Sequence, residues 1–157
     1  MLGPVCLALA HRAIHPTARG YTMKILLVED SKFLRIATER ALTRAGYDMT
    51  SAVDGEQALR LAQEKLPDLI LLDMLLPKMS GPDVLKALKL DPATRSIPVV
   101  VMTGLSQKNA ERLQKDGAIG FFEKSSLELE KGPTKLLAAL EEIFKKVPAL
   151  QSRSTSA

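Results

Sequence analysis

Hydrophobic and polar positions along the chain alternate between two periods. Five short apolar runs rich in valine, isoleucine and leucine are separated by stretches in which apolar residues recur every three to four positions. Short apolar runs are typical of strands buried on both faces of a parallel sheet, and the longer period is typical of helices. Strands are predicted at residues 24–29, 47–53, 68–73, 97–103 and 117–122, of which the second has a more exposed, alternating pattern.

A helix is predicted after each strand: at residues 31–45, at 55–66, in a segment ending near residue 90, at 106–116 and at 133–146. Asp54 is expected to cap the second helix, with Gln57 as its capping-box partner. Pro82 is expected in the first turn of the third helix, where its missing N–H costs little. The last helix should pack on the sheet through Leu136, Leu137, Leu140, Ile143 and Phe144. This alternation predicts right-handed crossovers and a parallel sheet covered on both faces.

The first predicted helix has two apolar surfaces. Its buried stripe is predicted to consist of Leu34, Ala37, Ala41 and Ala45. Phe33 and Ile36 lie beside that stripe, and they are flanked by Lys32, Arg35 and Arg40. An apolar pair with a cationic rim would suit docking onto the helices of a partner protein. A wide core-facing stripe would give the same pattern.

The length and charge of the chain limit its class. A chain of 157 residues, 46% hydrophobic and 25% charged, suits one globular domain with a real core. The net charge is +4, but Arg12, Arg19 and Arg153 lie in the expected tails, so the predicted domain at residues 23–147 carries about +1. A nucleic-acid-binding domain should have a basic face. Nucleic-acid binding is therefore not expected.

The two ends of the chain fall outside the periodic part. Residues 1–22 are expected to be a disordered leader or an upstream extension, and residues 148–157 a flexible tail. The apolar piece VCLALA is too short to span a bilayer and lacks the basic start of a secretory signal. The single Cys6 cannot form an internal disulfide. These features predict a cytoplasmic protein that does not enter a membrane.

Polar residues end four of the five apolar runs. Glu29 and Asp30 follow the first run, Asp73 ends the third, Thr103 ends the fourth and Lys124 follows the fifth. The carboxyl ends of parallel strands meet at one edge of the sheet, where open α/β folds bind their ligands. Carboxylates gathered there can hold a divalent cation, and the ammonium and hydroxyl groups can hold an anion.

Each of these residues also has a plainer interpretation. Asp30 alone would be a helix N-cap, Asp73 a strand-end turn residue, Thr103 a β-branched strand residue and Lys124 a solvated loop lysine. Their common position at strand ends favours one shared site over separate structural roles.

Four segments of the chain, ILLVEDS, LILLDMLLPKMSG, PVVVMTG and GAIGFFEKS, carry a family resemblance. In order and spacing they resemble the receiver domain of two-component response regulators, over about residues 23–147. The resemblance implies an α/β, flavodoxin-like, doubly wound fold with a five-stranded parallel sheet of order 2-1-3-4-5 and five helices. It also implies that the chain accepts a phosphoryl group from a histidine kinase or a histidine phosphotransfer protein.

The resemblance assigns the acidic residues to phosphoacceptance and metal binding. It implies that Asp73 is the phosphoacceptor, which agrees with the ability of a carboxylate to attack phosphorus. It further implies that Asp30 and Asp73 bind Mg²⁺ (or Mn²⁺) directly, that Glu29 acts largely through water and that Met74 contributes its backbone carbonyl. Mg²⁺ prefers hard oxygen ligands and retains waters, which suits this set.

The other strand-end residues are assigned to the phosphoryl group and to the switch. Lys124 would neutralise one phosphoryl oxygen, and Thr103 would hydrogen-bond another. Phe121, three residues before the lysine, would turn inward as Thr103 moves. The family usually has proline after the lysine, whereas this chain has Ser125, which leaves open whether the Lys124–Ser125 bond is cis or trans. Gly104 stands where the family commonly has a small residue such as alanine, and it leaves access to the phosphorylation site open.

Two other classes of protein compete with this interpretation. A non-phosphorylated pseudo-receiver would keep the fold as an interaction module, and Ser125 and the apolar Leu75 and Leu105 favour it slightly. A phosphatase with an aspartyl nucleophile would need a second aspartate two residues on, where Leu75 stands. Leu75 and Leu105 flank the expected route of attacking water, so they should affect the lifetime of the phosphoryl group.

The resemblance also predicts how the chain would act. It would be a single-domain signalling phosphoacceptor, not an enzyme beyond self-phosphorylation from a phosphodonor and autodephosphorylation. The fourth helix, fifth strand and fifth helix form the family's usual output surface, where an unknown downstream protein or a homodimer contact is expected.

Overall fold

The computed structural model describes residues 21–104, 110–124 and 134–147. Strands and helices alternate along this part of the chain. The strands are β1 (Lys24–Val28), β2 (Asp48–Ala52), β3 (Leu69–Asp73), β4 (Val99–Thr103) and β5 (Gly120–Glu123). The helices are α1 (Lys32–Arg44), α2 (Gly55–Lys65), α3 (Gly81–Leu90), α4 (Ala110–Lys115) and α5 (Thr134–Lys146).

The strands form one parallel sheet of order β2-β1-β3-β4-β5. This order confirms the predicted flavodoxin-like fold. Successive residues of each strand point to opposite faces, and each face has its own hydrophobic core. Side chains from α2, α3 and α4 belong to one core, and side chains from α1 and α5 belong to the other. Because both faces are covered, β1, β3 and β4 are almost entirely apolar and buried.

The N-cap predicted for α2 is confirmed, and the one considered for α1 is wrong. Asp54 accepts a hydrogen bond from the Gln57 N–H at 2.8 Å, as predicted, while Gln57 Oε1 accepts from Val53 N, one residue before the cap. The idea of Asp30 as a helix N-cap is wrong, because Ser31 caps α1 by accepting from Leu34 N at 3.5 Å. Asp30 is therefore not used as a cap.

The fifth strand begins later than predicted. Gly117 has φ of 107°, and its N–H donates to Gln114 O at 3.1 Å. A glycine in the left-handed region commonly ends a helix, so this stretch closes α4 and the strand starts only at Gly120. The predicted start of α4 at residue 106 lies outside the described residues.

The buried stripe of α1 is rotated from its predicted position. The fully buried side chains are Thr38 and Leu42, whereas Leu34, Ala37, Ala41 and Ala45 are half-buried. The buried stripe is centred partly on the polar Thr38, and a search for apolar residues alone does not recognise such a position as buried. The rotation leaves the neighbouring Phe33 turned away from the core. On α5 the prediction holds, with Leu136, Leu140, Ile143 and Phe144 buried and Leu137 partly buried.

A clasp precedes the sheet at the end opposite the strand-end residues. The hydroxyl of Tyr21 donates to the carboxylate of the buried Asp68, with distances of 2.9 and 2.7 Å to its two oxygens. Asp68 also accepts from Lys24 N at 2.8 Å. Tyr21 thus contacts the domain two residues before its predicted start. No helix among the described residues is long and apolar enough to cross a membrane.

Candidate functional site

The register of the sheet brings the carboxyl ends of its strands side by side. Asp73 pairs with the penultimate residue of β4, so Thr103 lies one step further along the neighbouring strand. Thr103 pairs with the last residue of β5, so Lys124 lies another step further. Glu29 follows β1 directly, on the other side of β3. The structure therefore gathers these predicted residues at one edge of the sheet.

Asp73 is buried, and both of its carboxylate oxygens are hydrogen-bonded. Oδ1 accepts from the backbone N–H of Leu75 at 3.1 Å, a local turn that aspartate forms with the residue two positions ahead. Oδ2 lies 2.7 Å from Nζ of Lys124. Because a carboxylate oxygen offers two lone-pair sites, these contacts leave Asp73 able to bind a cation or attack an electrophile.

Lys124 bridges the two buried carboxylates of the site. Its Nζ lies 2.7 Å from Asp73 Oδ2 and 2.7 Å from Glu29 Oε2. Burial acts to lower the pKa of Lys124, but the hydrogen bonds and negative charges of Asp73 and Glu29 outweigh burial, so its pKa is raised. A positive charge is thus held between β5, β3 and β1 at neutral pH.

Glu29 is the most strongly constrained member of the acidic set. Its Oε1 accepts from the backbone N–H of Ser31 at 3.1 Å, and its own N–H donates to Ala52 O at 3.1 Å. Burial raises the pKa of Glu29; the hydrogen bond from Lys124 lowers it, and the charge of Asp73 raises it again, with a net increase. Burial, with a smaller contribution from the charge of Asp73, therefore outweighs the hydrogen bond from Lys124 in setting the pKa of Glu29.

The acidic set has the composition of a site for a hard cation. Carboxylate oxygens of Glu29, Asp30 and Asp73 lie within 4.8 Å of one another, with Asp30 exposed and the other two buried. Three carboxylates against one ammonium leave an excess of negative charge. All of these donors are oxygen atoms, and the exposed Asp30 leaves the cluster accessible to water. Such a site suits Mg²⁺, which keeps several of its waters, and Mn²⁺ accepts the same donors. The residues present therefore fit the predicted metal.

The backbone carbonyl of Met74, the fourth predicted ligand, is held by α3. It accepts from the N–H of Gly81 at 3.2 Å, and its second lone pair remains for another partner. An added Cβ on Gly81 would lie 2.5 Å from Met74 Cα and 2.6 Å from Asp73 O. Only glycine allows α3 to begin so close to this backbone. Gly81 was not among the predicted site residues, although the turn-forming SG pair before Pro82 marks a tight turn.

Thr103 and Phe121, the two predicted switch residues, lie on neighbouring strands at the side of the sheet that borders α4. Thr103 is buried at the end of β4 and borders a cavity of about 330 Å³ between the β3–α3 loop and α4. Phe121 is partly buried against the core on the α2–α3–α4 side, and Phe122 is partly buried against the opposite core. Gly104 is exposed, and a Cβ added there would meet no atom within 4 Å, which agrees with open access to the site.

Several predicted features fall beyond the described residues. Leu105 and Ser125 are among them, so the cis or trans state of the Lys124–Ser125 bond lies outside the described residues as well. Leu75 is described: its side chain is exposed, and its backbone N–H donates to Asp73.

The predicted docking residues lie on one exposed side of α1. Phe33 is 71% exposed, which is unusual for so large an apolar side chain. Ile36 is half-buried one turn further on, and Arg40 is exposed. The interpretation as a wide core-facing stripe is therefore wrong for Phe33.

Arg35 contacts the acidic site, although the sequence placed it only on the rim of the docking surface. Its Nη1 lies 3.2 Å from Glu29 O and 3.4 Å from Asp30 O. The signal for this contact is its place in the first turn of α1, because helical side chains lean toward the N-terminus. A long arginine at that position can reach the carbonyls that precede the helix.

The chain was compared with protein families and curated proteins. The model of the response regulator receiver domain matches residues 25–139. The chain is 42% identical to the response regulator PleD of Caulobacter vibrioides over 103 residues, which cover 64% of this chain and 22% of PleD. It is 36% identical to the polar-differentiation response regulator DivK of Brucella ovis over 104 residues, which cover 66% of this chain and 85% of DivK. The chain thus spans only about a fifth of PleD but most of DivK.

Solved structures show the same fold. The chemotaxis protein CheY4 of Vibrio cholerae matches with a TM-score of 0.69 and 29% identity, over 77% of this chain and 98% of CheY4. The receiver domain of a signal transduction histidine kinase from Syntrophus aciditrophicus matches with a TM-score of 0.69 and 30% identity, over 81% of this chain and 93% of that domain. These similarities agree with the strand order and helix arrangement described above.

Proposed function

The chain belongs to the response regulator receiver domain family of two-component signalling, and from its site we propose that it accepts a phosphoryl group on Asp73 in a Mg²⁺-dependent reaction. The proposal rests mainly on one observation. Asp73 is joined within one cluster to Glu29, Asp30 and the ammonium group of Lys124. This constellation offers a nucleophile, a hard-cation site and a positive charge at the same strand ends.

The chemistry of the proposed transfer follows from these groups. An oxygen of Asp73 forms a bond to phosphorus as the P–N bond of a phosphohistidine donor breaks, and the imidazole nitrogen leaves with the bonding electrons. Phosphoryl transfer needs mainly positioning and neutralisation of charge. Mg²⁺, held by Asp30, Asp73 and the Met74 carbonyl with Glu29 acting through water, would supply part of that neutralisation. The ammonium group of Lys124, which pairs with Glu29 and Asp73 before phosphorylation, can shift to a phosphoryl oxygen on Asp73 while it stays in the same cluster.

Thr103 and Phe121 would carry the signal from the site. The Thr103 hydroxyl donates a hydrogen bond to a phosphoryl oxygen in this proposal, and the cavity beside Thr103 provides space next to its side chain. Phe121 is partly buried against the core to which α4 contributes, and in this proposal it turns inward as Thr103 moves. Aromatic-ring NMR signals of Phe121 should shift on phosphorylation, and unchanged signals would rule out this switch.

Partners are proposed from the exposed surfaces and from the family. The phosphodonor would be a histidine kinase or a histidine phosphotransfer protein that docks on Phe33, Ile36 and Arg40 beside the acidic site. An unknown downstream protein or a second copy would bind the α4–β5–α5 face. This chain covers 85% of the response regulator DivK and 98% of the chemotaxis protein CheY4, which supports the proposal that it acts as a regulator in signalling.

The decisive experiment measures intact mass after incubation with acetyl phosphate and Mg²⁺. The wild-type protein should gain the mass of one phosphoryl group, and this gain should disappear without Mg²⁺ and in Asp73→Asn. Asp83→Asn is a matched control, because Asp83 is an exposed aspartate in the first turn of α3 whose side chain accepts a hydrogen bond from the helix cap, Ser80. A wild-type protein that binds Mg²⁺ but stays unmodified would indicate the pseudo-receiver instead.

A further inference from the structure

Arg35 holds the backbone of the acidic pair from the first turn of α1. One terminal nitrogen of its guanidinium group, which has two N–H groups, lies 3.2 Å from Glu29 O and 3.4 Å from Asp30 O. These carbonyls belong to the two peptide groups on either side of the Asp30 Cα. Fixing both peptide planes restricts φ and ψ of Asp30, and hence the direction of its side chain.

Asp30 is the acidic residue that most needs such support. Glu29 and Asp73 are buried and hydrogen-bonded through their carboxylates, whereas Asp30 is exposed and lies between the end of β1 and the cap of α1. An exposed side chain on a short connection samples more directions unless its backbone is held. Arg35 supplies this hold through contacts with the main chain and leaves both carboxylate oxygens of Asp30 available.

We propose that Arg35 is a positioning residue that orients Asp30 for Mg²⁺ binding in the receiver site. The inference rests on the proposed function, because it assigns the metal to Glu29, Asp30 and Asp73. Groups that orient metal ligands typically change metal affinity 10- to 100-fold when they are removed. Arg35 acts through two hydrogen bonds to main-chain carbonyls, so an effect near the lower end of that range is expected.

The sign of the effect separates positioning from simple electrostatics. A guanidinium group near a cation site repels the cation, so removing its charge should by electrostatics alone strengthen Mg²⁺ binding. Positioning predicts the opposite result. It also predicts that Arg35→Lys weakens binding, because lysine keeps the charge but not the planar pair of donors that reaches both carbonyls.

The test is a calorimetric titration of the full chain with Mg²⁺ alone, without a phosphodonor. Arg35→Met, which keeps the apolar stem, should raise the dissociation constant roughly tenfold, and Arg35→Lys should raise it by a smaller factor. Arg44→Met is the matched control, since Arg44 is exposed in the last turn of α1, and it should leave the constant unchanged. Circular dichroism should show the same helix content in all variants.

A second measurement tests the loop without metal. Hydrogen exchange of the Ser31 N–H, which donates to Glu29, should be faster in both Arg35 variants if the acidic loop has lost its support. Tighter or unchanged Mg²⁺ binding in both variants would overturn the role of Arg35 while leaving phosphorylation of Asp73 standing. A wild-type protein that binds no Mg²⁺ would instead overturn the metal site itself, and the role of Arg35 with it.

Discussion

The ammonium nitrogen of Lys124 lies 2.7 Å from Asp73 Oδ2, although 51 positions separate the two residues in the chain. The same nitrogen lies 2.7 Å from Glu29 Oε2. This bridge neutralises part of the charge that the sheet gathers at its carboxyl edge. It also ties β5, at the border of the sheet, to β3 and β1 at its centre.

Replacing Lys124 should therefore destabilise the metal-free protein. Lys124→Met leaves two buried carboxylates without their shared cation, and we expect a loss of about 2–3 kcal/mol in the free energy of unfolding. Urea denaturation at neutral pH measures it. Lys145→Met is the control: the ion pair of Lys145 with Glu142 is exposed and should be worth less than about 0.5 kcal/mol. Added Mg²⁺ should recover part of the loss in Lys124→Met, and a loss no larger than that of the control would contradict the bridge.

Two glycines near the site should respond in opposite ways to alanine. Gly81→Ala forces a methyl group to 2.5–2.6 Å from the backbone of Asp73 and Met74, so it should destabilise the protein by about 1–3 kcal/mol and weaken Mg²⁺ binding. Gly104→Ala meets no neighbour and should be neutral or stabilising by about 0.4–1 kcal/mol through the unfolded chain. Thermal unfolding of both variants decides the point. Equal stabilities would show that α3 does not depend on Gly81.

Tyr47 should make stability fall at high pH. Burial, followed by the charge of Glu141, raises the pKa of Tyr47 from 10.0 to about 12. The neutral phenol is favoured in the folded state, so its contribution is complete below pH 10 and is lost as the pH rises toward 12. The loss should be about 2–3 kcal/mol.

Tyr47→Phe isolates this contribution from those of other groups. The variant keeps the ring packed near Phe144, whose centroid lies 5.9 Å away. Guanidinium unfolding at several pH values from 9 to 12 should give a smaller decline than in the wild type. Parallel declines in the two proteins would exclude Tyr47 as the cause.

The clasp between Tyr21 and Asp68 should contribute to stability. Tyr21→Phe removes a hydroxyl that lies 2.9 and 2.7 Å from the two oxygens of a buried carboxylate, and we expect a loss of about 1–2 kcal/mol. A chain starting at Met23 should show the same loss, and a chain starting at Tyr21 should not. If all three unfold at the same urea concentration, the domain begins at residue 23 as the sequence predicted.

Phe33 should matter to a protein donor and not to a small one. Phe33→Ser should slow phosphorylation by a cognate histidine-containing donor about tenfold, since buried aromatic anchors dominate interfaces. Phosphorylation by acetyl phosphate should be unchanged. Leu90→Ser is the control, because Leu90 is 82% exposed at the C-terminal end of α3, away from the site. Equal rates for Phe33→Ser and the wild type with the protein donor would remove the docking surface.

The sequence alone determined the order of strands and helices, because short apolar runs and helical spacing are local patterns. It also determined that Glu29, Asp73, Thr103 and Lys124 would lie at one edge of the sheet, because parallel strands all end at the same edge. It did not determine the exact phase of α1, where the polar Thr38 stands at the centre of the buried stripe. Nor did it show that Ser31, and not Asp30, caps that helix.

Only the tertiary structure decided several contacts that the local pattern of apolar and polar residues does not encode. The reach of Arg35 to the carbonyls of the acidic pair depends on the angle at which α1 leaves β1. The clasp of Tyr21 on Asp68 and the close approach of Gly81 to Met74 depend on how whole elements pack. Local periodicity encodes which face of an element is buried, but the distance between two side chains is set by packing of the entire sheet and its helices.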